Sequence, residues 1–164
     1  MGRHREATSW TRPLQLATAA YLLLAALVEL VTNALFETRP AIERSLRASN
    51  PDLGGDQLRD SVSVGYVSSW LLVAAVVAGA AVLAFGAYRG WRWVFWVNLV
   101  VLLVGAVQLL TNVLALICPA TQIQPPAAIA VELVLSLVAV GMLVWFILAA
   151  ARYGPWAMRR PGAP

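Results

Sequence analysis

Residues 14–36 read LQLATAAYLLLAALVELVTNALF, an unbroken apolar run in which Glu29 is the only charge. A run of this length matches the roughly 20 residues that an α-helix needs to cross a hydrocarbon core. Three more runs follow at 62–88, 93–117 and 127–151, and Glu132 is their only charge. Periodicity and length therefore predict an all-α protein: a four-transmembrane-helix bundle of two tandem helical hairpins, forming a single integral membrane domain over residues 1–164.

Composition agrees. The chain is 60% hydrophobic and only 12% charged, with a mean hydropathy of +0.74, which makes a lipid bilayer the expected solvent. A pI near 10.0 would suggest nucleic acid in a soluble domain. Here the surplus arginines flank the membrane-length runs, so no nucleic-acid partner is expected. All 12 basic residues are arginine and none is lysine, a usage typical of GC-rich bacterial genomes. Cys118 and His4 are each the only residue of their type. An intrachain disulfide, a histidine-held haem and a His/Cys zinc site are therefore excluded within one chain, and no metal or cofactor is expected.

Arginine placement sets the expected orientation. Arg3, Arg5 and Arg12 precede the first span, Arg89 and Arg92 join the second to the third, and Arg152, Arg159 and Arg160 follow the fourth. The positive-inside rule places both termini in the cytoplasm and the protein in a bacterial cytoplasmic membrane. Trp10, Tyr88, Trp91, Trp93, Tyr153 and Trp156 fall at the same level, where amphipathic rings prefer to lie. The loop from Cys118 to Pro126 is uncharged and is read as external. The arginines preceding the first run could mark a signal peptide, but the run exceeds an h-region and Glu29 interrupts it, so cleavage is not expected.

Residues 37–61 form the sizeable aqueous segment, an external cap. Pro40 suits a first helical turn, Ile42 and Leu46 share a face, and Asn50-Pro51 ends the run, so a short amphipathic helix is expected with its apolar side on the bundle. Gly54-Gly55 then breaks the chain before a helix that continues into the second span. That break argues against a cation site from Asp52, Asp56 and Asp60. Ala74, Ala75, Ala78 and Gly79 have small-xxx-small spacing, read as close packing within the chain rather than dimerisation. Trp96 and Trp145 are read as packing residues.

An internal echo links the two halves. VELVTN at 28–33 matches VQLLTN at 107–112, and YRGW at 88–91 is echoed by RYGPW at 152–156. The hairpins are therefore expected to be related by an axis along the membrane normal.

The echo carries polar groups into the membrane. Glu29, Thr32 and Asn33 share one face of the first span, and Gln108, Thr111 and Asn112 do so in the third. Ser68 and Ser69 of the second span, with Glu132 and Ser136 of the fourth, reach a similar depth, so every helix is expected to contribute to one polar layer. A carboxylate at that depth costs about 2.5–3.5 kcal/mol even on the lenient insertion scale, so Glu29 and Glu132 are expected to face the interior. Two readings follow: interhelical glue, or a proton or cation site.

Two resemblances bear on this. RPLQ at 12–15, LRASNPDL at 46–53, QL at 57–58 and VSVG at 62–65 resemble a group of small four-span actinobacterial membrane proteins, and this implies the same fold and location. Tyr21 and AALVE at 25–29 are similar to the first helix of small multidrug resistance transporters. There the glutamate corresponding to Glu29 is shared between protons and a cationic substrate. The long first loop, full-length later spans and charged tail depart from that family.

The sequence leads first to a non-enzymatic accessory or interaction subunit that docks a membrane protein partner through the external cap. The alternative is a proton-coupled exporter of small cationic or lipophilic compounds, working as a homo-oligomer through Glu29. No nucleophile can be paired with a base, which argues against an enzyme.

Overall fold

The computed structural model describes residues 6–52, 54–117 and 126–159. His4, Leu53, Cys118 and most of the uncharged loop fall outside the described residues. Five helices carry the fold: α1 (Thr11–Phe36), α2 (Arg39–Ser49), α3 (Gly55–Tyr88), α4 (Arg92–Ile117) and α5 (Pro126–Tyr153). Four of them, all but α2, are long and apolar enough to span a bilayer. At the ends of the chain, β1 (Glu6–Ala7) pairs antiparallel with β2 (Met158–Arg159), Glu6 opposite Arg159 and Ala7 opposite Met158.

Helix ends follow local chemistry. Pro40 occupies the first turn of α2, where its missing N–H costs nothing, and the helix stops at Asn50. The extended backbone of Gly54 lets α3 start at Gly55 with Asp56 in its first turn, where a negative charge suits the helix dipole. The segment before the second span and the span itself thus form one helix of 34 residues. At ~1.5 Å per residue this helix is about 50 Å long and outreaches a hydrocarbon core of about 30 Å.

The helices pack as two hairpins, α1 along α3 and α4 along α5, with far fewer contacts between hairpins than within them. α2 lies across α3, where Ile42 sits 3.4 Å from the position a Gly65 Cβ would take. The cap thus turns its apolar side to the bundle. Only 22–28% of each apolar window is buried within the chain, and Leu71 and Leu110 are 66% and 67% exposed. Surfaces so apolar are covered by lipid, and the protein is a multi-pass membrane protein.

The packed core sits at the end that carries both termini. Leu14, Val94, Phe95, Leu102, Met142 and Phe146 are buried there together with Trp156 and Ala157. Phe95 and Phe146 stack at 4.9 Å, and Trp156 meets them edge-on at 5.4 and 5.8 Å. Sequence reasoning assigned Trp156 to an interfacial belt, yet it is 0% exposed. Gly154, at φ 86°, turns the chain back so that the ring enters the bundle.

Two packing expectations also change. Ala74, Ala75, Ala78 and Gly79 face outward, and nothing lies within 4 Å of a Cβ placed on Gly79. From Val73 onward the inward positions of α3 include Val73, Val77, Ala80, Ala84 and Ala87, a spacing of four and three that keeps one seam toward its neighbours. Trp96 is 52% exposed and touches Phe95 edge-on from outside the core, whereas Trp145 packs against the core.

Candidate functional site

Beyond the aromatic core the hairpins part, leaving a cavity of about 300 Å³ between α1, α4 and α5. Tyr21, Ala25, Val28, Glu29, Thr32, Asn33 and Glu37 form the α1 wall; Gly105, Gln108 and Asn112 come from α4, and Glu132, Leu135 and Ser136 from α5. Gly105 makes the narrow end possible. A Cβ there would stand 3.0 Å from that of Ala139 and 3.4 Å from the Tyr21 hydroxyl.

Seven of the ten residues singled out from sequence therefore meet in one place: Glu29, Thr32, Asn33, Gln108, Asn112, Glu132 and Ser136. Two echoed pairs, Glu29 with Gln108 and Asn33 with Asn112, face the same space, whereas of the echoed threonines only Thr32 does. Both asparagines are buried.

The other three do not join. Thr111 is exposed, and its hydroxyl donates to the Gln108 carbonyl at 2.8 Å. Ser68 is exposed, and the Ser69 hydroxyl donates to the Tyr66 carbonyl at 3.1 Å. Hydroxyls can satisfy themselves on the preceding turn of their own helix and so do not need a shared interior. α3 contributes no residue to the cavity, and the expectation that every helix would supply the polar layer is corrected to three helices.

Two side-chain hydrogen bonds run along the cavity wall. Asn112 donates from Nδ2 to Ser136 Oγ at 3.2 Å, linking α4 to α5. Asn33 donates from Nδ2 to Glu37 Oε2 at 2.9 Å, while its own Oδ1 is buried without a protein partner. Glu29 lines the cavity but stays exposed, and Glu132 is half-buried. An ion pair, Arg47 with Glu43 at 2.7 Å, lies on α2, away from the cavity. No arginine is among the described residues lining the cavity.

The chemistry offered is carboxyl groups set among amide and hydroxyl groups between membrane-spanning helices. Among the described residues no three carboxylate, histidine or cysteine side chains converge as metal ligands do. The carboxylates are spread around a space larger than a bare ion.

Sequence reasoning missed Glu37, which it placed in the loop. Its signal was the Asn33 to Glu37 interval of four, legible once α1 is carried through Phe36. Gly105 and Tyr21 were missed as wall residues because only the meeting of the two hairpins gives them that role. The chain matches no family model, no curated protein and no solved structure.

Proposed function

We propose that this is a non-enzymatic membrane protein that takes up a small organic cation in the cavity between its hairpins and exchanges it against protons at Glu29. One observation carries the reading: Glu29, Glu37 and Glu132 line a single cavity together with Asn33, Gln108, Asn112 and Ser136, and no described basic side chain lies among them. Single hydrogen bonds tie Asn33 to Glu37 and Asn112 to Ser136, and the space of about 300 Å³ that remains between the hairpins suits a small organic cation.

On this reading the protein sits in a bacterial cytoplasmic membrane with both termini in the cytoplasm, and the cavity lies in the outer half of the bilayer. A proton and a cation compete for the same carboxylates, which is the requirement for coupled exchange. The test is calorimetric titration of the full chain in nanodiscs with tetraethylammonium. Saturable binding that weakens as the pH is lowered supports the reading. Absence of saturable binding at any pH would end it.

A second reading, an accessory subunit that docks a helix of another protein or of a second copy, is favoured by the outward face of α3. There Ala74, Ala75, Ala78 and Gly79 lie exposed, one turn beyond a shallow groove formed by Tyr66, Val67, Trp70 and Leu71. Small residues allow close helix approach in lipid. Under that reading Gly79→Leu releases a stoichiometric partner or copy from the purified complex, while tetraethylammonium fails to bind.

A further inference from the structure

One segment ties the two hairpins together at the termini end. Trp156, fully buried, inserts its ring against Phe95 of α4 and Phe146 of α5. Its Nε1–H donates to the Trp91 carbonyl at 2.8 Å, in the turn between α3 and α4. The next carbonyl, that of Ala157, accepts from Thr8 Oγ1 at 2.7 Å and from Thr11 Oγ1 at 2.9 Å, which fastens it to the start of α1. Every membrane-spanning helix is therefore held, directly or through an adjoining turn, by Trp156 and Ala157.

The backbone of this segment is strained. Trp156 and Ala157 sit at φ 59° and 52°, the left-handed region that residues with a Cβ avoid. Two consecutive residues in that region are retained only where surrounding contacts over-determine them. Loss of the Trp156 and Ala157 contacts lets the turn relax.

The half of the bundle closed by this segment is not purely apolar. Gln15, Thr18 and Asn98 are 5%, 1% and 1% exposed. The Thr18 hydroxyl is satisfied by the Leu14 carbonyl at 2.7 Å, but neither Nδ2 nor Oδ1 of Asn98 has a protein partner. Gln15 and Thr18 precede the cavity-lining face of α1, and Asn98 stands two turns before Gly105 on α4. A buried amide with both ends unpaired is costly in a closed core and fits a surface that becomes hydrated.

We propose that the segment 154–159 is a gate, and that its release opens a second, water-lined route to the cavity from the termini end along Gln15, Thr18 and Asn98. The proposal deepens the exchange reading above and rests on it for its purpose, because exchange requires access to the cavity from both sides of the membrane.

The test uses single cysteines in a Cys118→Ser background of the full chain, in nanodiscs, labelled with a charged methanethiosulfonate reagent. Thr18→Cys probes the route, and Val73→Cys, 2% exposed in the α3 seam, probes general loosening. Adding Trp156→Ala is expected to speed labelling at Thr18→Cys at least tenfold and to leave Val73→Cys unchanged. Unchanged labelling at Thr18→Cys, or equal acceleration at both positions, overturns the gate. If Trp156→Ala does not stay monodisperse, Trp156→Phe decides by the same criteria, with an expected gain of two- to threefold, because it keeps an aromatic ring against Phe95 and Phe146 while removing the Nε1–H bond and part of the bulk. The reagent is the anionic sulfonatoethyl methanethiosulfonate and no tetraethylammonium is added, so the outcome is independent of whether the cavity binds an organic cation.

Discussion

Asn33 donates its side-chain amide to Glu37 at 2.9 Å across one turn of α1. This bond holds a carboxylate from the end of the helix over the polar cavity, while the asparagine's own carbonyl oxygen stays buried and unpartnered. On the proposed reading, Glu37 is one of the carboxyl groups that a cation in the cavity would meet.

Asn33→Ala should therefore separate binding from stability. It removes the unsatisfied oxygen along with one exposed-partner hydrogen bond, so thermal stability in detergent should change by no more than about 1 kcal/mol. Tetraethylammonium affinity should fall at least threefold as Glu37 is freed. Calorimetry and thermal unfolding on the same preparation check both halves.

Asn98→Leu should stabilise the resting protein by about 1 kcal/mol or more, because it removes a buried amide with no partner and keeps similar bulk. Thermal unfolding reads this directly. A clear loss of stability would mean that the amide is already satisfied by bound water when the gate is closed.

Two glycine substitutions should behave in opposite ways. Gly154, at φ 86° and ψ −174°, occupies a region open almost only to glycine, so Gly154→Ala should cost about 1–3 kcal/mol and loosen the Trp156 segment. Gly79 has nothing within 4 Å of its Cβ position, and Gly79→Ala should be neutral or gain up to about 1 kcal/mol from helix propensity. Thermal unfolding of the two variants side by side checks the contrast.

Much of this architecture was legible in the sequence, for reasons specific to membranes. A charge-free run such as residues 62–88 has few alternatives to a spanning helix, because its backbone must satisfy itself in lipid. The pairing of Glu29 with Thr32 and Asn33 on one face was likewise readable from the helical period. Composition could not reveal which face of α3 looks inward. Lipid is as apolar as a protein core, so Val73 and Val76 look alike in sequence although one is buried and the other exposed. The role of Trp156 was hidden for a related reason: an aromatic at the end of a span suits the interface equally well, and only the reversal at Gly154 sends it inward.

The proposed orientation has its own test. In the Cys118→Ser background, Ser49→Cys on α2 and Ser9→Cys before α1 are both exposed positions at opposite ends of the bundle. In intact cells an impermeant maleimide should label Ser49→Cys and miss Ser9→Cys, because the arginine-rich end belongs in the cytoplasm. The reverse pattern would invert the topology.

The central claim is that Glu29 exchanges a proton for a cation, and proton release on binding measures it most directly. Tetraethylammonium added to the wild-type chain in weakly buffered solution, over a series of pH values, should release protons in proportion to occupancy. Glu29→Gln keeps the shape and hydrogen-bonding capacity of the side chain but cannot give up a proton. It should fold normally and bind the cation weakly or not at all, with no release attributable to that position. Wild-type binding without proton release, or a Glu29→Gln variant that binds and releases protons as the wild type does, would contradict the account.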